Sequence, residues 1–176
     1  MTKKILAFGA SSSKNSINKQ LATYTANQFK NVLVEILDLN DYEMPIFSID
    51  KEKENGIPQL AHDFYAKLGS ADLIIISFAE HNGAYSTAFK NIFDWTSRIN
   101  GKTFQEKPML LLATSPGARG GSSVLEIAKN RFPFQGGIIK GSFSLPSFND
   151  NFDTDKGITN EELKNELLEI VNSIEL

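Results

Sequence analysis

The sequence predicts an α/β domain built on a doubly wound, five-stranded parallel sheet with helices on both faces. Three observations predict it. Short apolar runs rich in β-branched residues recur along the chain, at Ile5–Gly9, Val32–Leu39, Leu73–Phe78, Met109–Thr114 and, less cleanly, Ile138–Leu145. They are apolar on both faces rather than alternating, the pattern of strands covered by helices on both sides. Amphipathic helical patterns fall between them, so strand and helix alternate five times. At 176 residues, with no internal repeat and no low-complexity tract, one domain over residues 1–176 is expected.

Each helix has its own signature. Ile17, Leu21 and Tyr24 follow an i, i+4, i+7 spacing after the first strand, and Leu60, Phe64 and Leu68 lie on one stripe. Phe89, Ile92, Phe93 and Thr96 form the stripe of the third helix. Ser123 with Glu126 has the spacing of a capping box ahead of Val124–Phe132, and Thr159 with Glu162 repeats it before Leu163, Leu167, Ile170 and Ile174. The polar stretches Lys51–Gly56 and Asn149–Gly157 read as surface loops.

Composition removes several function classes. The chain has no cysteine, which excludes a disulfide scaffold, a thiol nucleophile, an iron–sulfur cluster and thiolate-bound zinc. Its net charge of −3, with Lys and Arg scattered, lacks the electrostatic basis for binding nucleic acid. The two histidines, His62 and His81, have no partner spacing for a metal site, and none is expected. No apolar run reaches membrane-spanning length and the first nine residues are too short for a secretory signal, so a cytoplasmic location is expected.

In a doubly wound sheet, ligands bind beyond the carboxyl ends of the strands. The loop after the first strand, Gly9 to Asn18, crowds Ser11, Ser13, Ser16 and Asn18 around Ile17 at the start of a helix. Backbone amides and the positive end of the helix dipole point outward there, so this chemistry suits a phosphate. It is neither a Walker A loop nor a G-x-G-x-x-G fingerprint. The loop after the third strand contains Glu80, His81, Asn82, Gly83 and Tyr85. Gly83 allows close approach of a planar ring, and Tyr85 offers an aromatic surface. The loop after the fourth strand carries Ser115, Pro116, Gly117, Gly120 and Gly121 and supplies backbone donors without side-chain bulk. Ser11 as a hydrolase nucleophile lacks a G-x-S-x-G elbow, and a phosphorylated receiver domain would want acids after the first strand.

Together the three loops resemble those of the NAD(P)H-dependent FMN reductase family, which has the flavodoxin-like fold and includes quinone, azo-compound and chromate reductases. The family's first loop, roughly G-S-x-R-x-x-S-x-N, is matched by Ala10, Ser11, Ser13, Ser16 and Asn18. Its second, roughly P-E-Y-N-G-S-x-P-G-x-L-K-N-x-I-D-W, is matched by Glu80, Asn82, Gly83, Lys90, Asn91, Asp94 and Trp95. Its third, S-P-G-x-x-G-G, is matched by Ser115, Pro116, Gly117, Gly120 and Gly121. Ser13 stands where the family carries an Arg, which removes one charge-assisted contact to a phosphate; either lower affinity or compensation by Lys14 is expected. Ala79 and His81 replace the Pro and Tyr, and Ala84-Tyr85-Ser86-Thr87 replaces S-x-P-G, so substrate preference is the least transferable property.

The resemblance implies FMN as cofactor and NAD(P)H as co-substrate, with electrons passing to a small-molecule acceptor. It implies that Ser11, Ser13, Ser16 and Asn18 hold the phosphate. It places Glu80, His81, Asn82 and Gly83 against the flavin ring through backbone groups, with Ser115, Pro116 and Gly117 at the other edge. No side chain is expected as acid or base, because the cofactor carries the redox chemistry. Asp94 and Trp95 are expected to be structural or interfacial. A homodimer or homotetramer is also implied. The alternative, a flavodoxin-type electron carrier, fits less well, since such carriers are strongly acidic and use a T-x-T-G-x-T loop.

Overall fold

The computed structural model describes residues 2–176. In chain order it comprises β1 (Lys3–Ala10), α1 (Ile17–Ala26), β2 (Val32–Leu37), a 3-10 turn (Leu39–Tyr42), α2 (Ile49–Asn55) and α3 (Gln59–Gly69). There follow β3 (Leu73–Phe78), the small hairpin of β4 (Glu80–His81) and β5 (Ala84–Tyr85), α4 (Thr87–Ile99), β6 (Lys107–Thr114) and α5 (Ser122–Arg131). A second 3-10 turn (Phe132–Gln135) leads to β7 (Gly137–Leu145), and the chain ends with α6 (Phe148–Asn151), the hairpin of β8 (Phe152–Asp153) and β9 (Gly157–Ile158), and α7 (Glu161–Ser173).

The main sheet has five parallel strands in the order β2-β1-β3-β6-β7. Alternate residues of one strand feed opposite cores, as the two-residue period of a strand requires. On one face Leu6, Phe8, Ile74, Ile76 and Leu111 pack against Phe64 and Leu68 of α3, Phe89 and Phe93 of α4, and Val124 of α5. On the other, Ile5, Ala7, Ile75 and Leu110 pack against Leu21 and Ala22 of α1 and Leu167 and Val171 of α7. All six residues of β3 are buried, which explains why the central strand is apolar on both faces apart from Ser77.

After β1 the chain turns to one side of the sheet through α1, and after β3 it turns to the other through α4. The crevice between these departures is the topological switch point, the position where open α/β sheets take ligands.

Four local expectations are corrected. Lys51–Gly56 is not a loop but most of α2. Its side chains bury nothing, so it has no hydrophobic period to detect; Ser48 Oγ accepts from Lys51 N and Gly56 closes it at φ 74°. Asn149–Gly157 is likewise structured, as part of α6 and a hairpin whose Asp153 Oδ1 accepts from the amides of Asp155 and Lys156. The cap of α7 is Asn160 rather than Thr159, its side chain accepting from Leu163 N. Ser123 and Glu126 form no capping box, because α5 begins a residue earlier, after Gly121 in the left-handed region.

Candidate functional site

The loops after β1, β3 and β6 converge at the switch point on a cleft of about 270 Å3. Of the residues expected there, Ser11, Ser13, Ser16, Ile17, Asn18, Glu80, His81, Ser115 and Pro116 line it. Asn15, Ala79 and Thr114 line it as well and were not singled out from sequence.

The first loop brings α1 against the end of β1. A Cβ on Gly9 would run into the backbone of Lys19, so only glycine lets the first turn of α1 lie that close. Ser16 caps the helix, its Oγ accepting from Lys19 N at 3.1 Å, and Ser11 Oγ accepts from Ser13 N at 3.1 Å. Each hydroxyl thus uses a lone pair internally and keeps its proton to donate. The amides of Ile17 and Asn18 have no acceptor among the described residues, and the first turn of α1 carries no acid. Two amides, two hydroxyls and an uncompensated helix dipole form a site for an anion.

Asn18 departs from expectation. Its Nδ2 donates to Thr114 O at 3.1 Å, while its Oδ1 accepts from Thr114 N at 3.1 Å and from Ser77 Oγ at 2.7 Å. The side chain is 3% exposed and committed to tying α1 to β3 and β6. Only its backbone amide is left for a ligand. Ser77, a polar residue inside an otherwise apolar run, was the signal for this partner.

In the second loop, Asn82 and Gly83 form the turn of the β4–β5 hairpin with φ of 53° and 77°. Successive left-handed residues fit a tight hairpin, and a Cβ on Gly83 would meet nothing within 4 Å, so the tip stands open. Ser86 caps α4 through Phe89 N and donates to Ala10 O at 2.8 Å, linking the second loop to the first. The ring of Tyr85 is turned away from the cleft. It packs in the aromatic cluster of Phe78, Phe89 and Phe132, and burial pushes its hydroxyl well above the usual phenol range. The apolar stripe of α4 draws the ring inward, so it presents no aromatic face to a ligand there.

Glu80 does more than its backbone suggests. Its Oε2 accepts from Val124 N at 3.0 Å, across 44 positions of sequence. Since Gly121 provides no side-chain cap, this carboxylate serves as the cap of α5. The third loop is held by β7: Thr114 Oγ1 donates to Leu145 O at 2.7 Å, and Ser147 N donates to Gly117 O at 3.0 Å. Gly120 and Gly121 need glycine, with φ of 57° and 75° and a Gly120 Cβ 2.9 Å from Leu145 O. Gly117 does not, for its Cβ would meet only Ser115 Oγ at 3.9 Å. Gly83, Gly117, Gly120 and Gly121 therefore shape the rim rather than line the cleft.

Further out, Lys90 pairs with Asp94 at 2.7 Å along α4. Asn91 accepts from Phe47 N and donates to Met44 O and Pro45 O, and the Trp95 indole donates to Pro45 O at 2.7 Å. Asn91 and Trp95 thus strap the Met44–Phe47 segment to α4, a structural role.

The family model for NADPH-dependent FMN reductase matches residues 3–150. An uncharacterised protein of Mycoplasma pneumoniae is 31% identical over 164 residues, 90% of this chain and 96% of its own length. A quinone reductase of Escherichia coli K12 is 27% identical over 109 residues, an alignment spanning 56% of this chain and 58% of that enzyme. Among solved structures, the flavoenzyme NAD(P)H:(acceptor) oxidoreductase FerB of Paracoccus denitrificans superposes with a TM-score of 0.77 at 21% identity, covering 98% of this chain and 94% of that one. That likeness establishes the flavodoxin-like fold, and with the matching family model it establishes that this chain belongs to the NADPH-dependent FMN reductase family, whose members take FMN as cofactor and NAD(P)H as co-substrate.

Proposed function

We propose that the cleft holds FMN with its phosphate on the start of α1, and that the protein passes electrons from NAD(P)H to a quinone, free flavin, azo compound or similar small acceptor. The observation that carries this reading is the open N-terminus of α1, where two free amides and the hydroxyls of Ser11 and Ser16 point into one cleft. When bound, FMN supplies the redox chemistry, accepting hydride from the nicotinamide and giving electrons to the acceptor.

The chain's own residues bind and orient. Ser11, Ser16 and the amides of Ile17 and Asn18 hold the phosphate, and Ser13 presents a further hydroxyl at the mouth. Backbone groups of Glu80 to Gly83 and of Ser115 to Gly117 border the ring. The side chains of Asn18, Ser77 and Thr114 bond to one another and to the backbone, and so keep the three loops in register rather than binding the ligand. No residue in the cleft is arranged as an acid and base pair, in keeping with chemistry that resides on the cofactor.

A cleft built from shallow loops leaves one ring face accessible, so the two substrates take turns and steady-state kinetics are ping-pong. The test uses the FMN-loaded protein with NADPH and a benzoquinone at several fixed concentrations. Parallel double-reciprocal lines are expected, whereas intersecting lines would show that both substrates bind together. Bleaching of the bound flavin by NADPH alone is also expected; no bleaching without a second reductase would make the protein an electron carrier. A cytoplasmic homodimer or homotetramer that does not bind nucleic acid completes the reading, and a monomer by light scattering at micromolar concentration would refute the oligomer.

A further inference from the structure

A second concavity, larger than the cleft, opens beside it. It has a volume of about 500 Å3, within the roughly 300–1,000 Å3 of small-molecule sites. One wall is the outer face of α1, from Asn15 to Asn27, and the other is the β8–β9 hairpin. Asn15 and Ser16 line both this groove and the cleft, so the two are continuous around the start of α1.

The groove is a built feature rather than a gap between loose loops. Gly157 lies flat on the ring of Tyr24, where any Cβ would collide with it. Tyr24 and Phe152 meet edge to face at 5.7 Å. Asp153 fixes the hairpin turn through two amides, which aims the intervening residues at the groove. Thr159 N donates to Asn151 O at 2.9 Å and closes the hairpin at its base.

Its chemistry is that of a site for a flat ring bearing a phosphate. Tyr24 and Phe152 supply aromatic surface. Lys14 and Lys156 lie on the rim, and neither has a carboxylate within 4 Å among the described residues. Lys19 also lines the groove, but its charge is already engaged by Asp38 at 2.5 Å. Asp155 is the one acid at the rim. Lys14 and Lys156 outnumber Asp155, and in a chain of net charge −3 this local excess of cations over an aromatic floor favours an anion. Thr23 and Gln20 offer hydrogen bonds to a sugar or a base edge.

We propose that this groove holds the phosphorylated adenosine arm of NADPH, with the 2′-phosphate between Lys14 and Lys156, and that it therefore sets a preference for NADPH over NADH. The proposal rests on the reading of the cleft as the FMN site, because the continuity through Asn15 and Ser16 is what lets one dinucleotide reach from groove to cleft.

The test uses Lys156→Gln and Lys156→Glu, both on an exposed turn outside the phosphate loop. With the FMN-loaded enzyme, KM for NADPH should rise about tenfold in Lys156→Gln and further in Lys156→Glu, at unchanged kcat. KM for reduced nicotinamide mononucleotide, which lacks the adenosine arm, should not move. Equal changes for both donors, or none for NADPH, would overturn the proposal. Independently of turnover, 2′,5′-ADP should bind the wild-type protein by calorimetry, compete with NADPH, and bind Lys156→Gln about tenfold more weakly. No binding, non-competitive inhibition or unchanged affinity in the variant would also overturn it. If FMN-loaded wild-type protein fails to oxidise NADPH at all, the reading of the cleft fails; if it turns over and the groove variants behave as wild type, only the groove assignment fails.

Discussion

Of the helices that start in the three loops around the cleft, α1 and α5 are finished differently. The start of α1 is capped by its own Ser16, carries no acid in its first turn and leaves the amides of Ile17 and Asn18 free. The start of α5 also lacks an acid in its first turn and has a glycine at the cap, but the carboxylate of Glu80 reaches over from the second loop to accept from Val124 N. One positive helix end is left open and the other is already neutralised. Two glycine- and serine-rich loops alike in sequence thus leave their helix starts in different electrostatic environments. The start of α1 is therefore the proposed phosphate position, while the third loop shapes the cleft and Glu80 joins the second loop to the third.

The largest difference between the two loops is expected at the backbone. Gly9→Val should lift α1 from the end of β1, costing about 3 kcal/mol by denaturant unfolding, and should abolish FMN binding. Gly117→Val in the third loop should change stability by less than about 0.5 kcal/mol, since nothing crowds its Cβ. Similar losses for the two variants would erase the distinction between the loops.

Ser16→Asp makes the start of α1 resemble the start of α5. Aspartate still caps a helix, so the melting temperature should hold, but its charge faces the phosphate and FMN affinity should fall about a hundredfold, or about 2.7 kcal/mol. Riboflavin affinity, measured by the same fluorescence titration, should change little. An equal loss for riboflavin would move the phosphate elsewhere.

A smaller effect follows from Ser11→Ala, which removes one hydroxyl and leaves the amides. About tenfold weaker FMN binding is expected, with riboflavin again unaffected. The smallest effect is at α5. Glu80→Ala should cost about 1 kcal/mol in urea unfolding, while Glu80→Gln, which keeps an acceptor for Val124 N, should recover most of it. A glutamine as damaging as alanine would mean that the charge, not the bond, stabilises the end of α5.

Much of this frame was legible in the chain. The five apolar runs coincide with the five strands of the sheet to within three residues at each end, because a strand buried on both faces leaves an unbroken hydrophobic trace. The three loops that border the cleft were legible because helix starts and glycine-rich turns follow from local chemistry. By contrast α2 left no trace, since it buries nothing and hydrophobic period is the main helical signal. Tyr85 was read as an aromatic surface for a ligand, yet its neighbours in space are four phenylalanines, one from β3, two from α4 and one from the turn after α5.

The amino-acid sequence alone sufficed for the five strands of the main sheet, the helices that bury an apolar stripe, their alternation, and the three loops proposed to take a phosphorylated cofactor. Each of these depends on residues a few positions apart. How the polar side chains in those loops are spent depends on the folded arrangement. Asn18 is consumed by Thr114 and Ser77, Glu80 by Val124, and the groove beside α1 exists because Gly157 lets a distant hairpin lie on Tyr24. A side chain's role depends on which donors and acceptors it meets across the fold, and those partners stand tens of residues away in the chain.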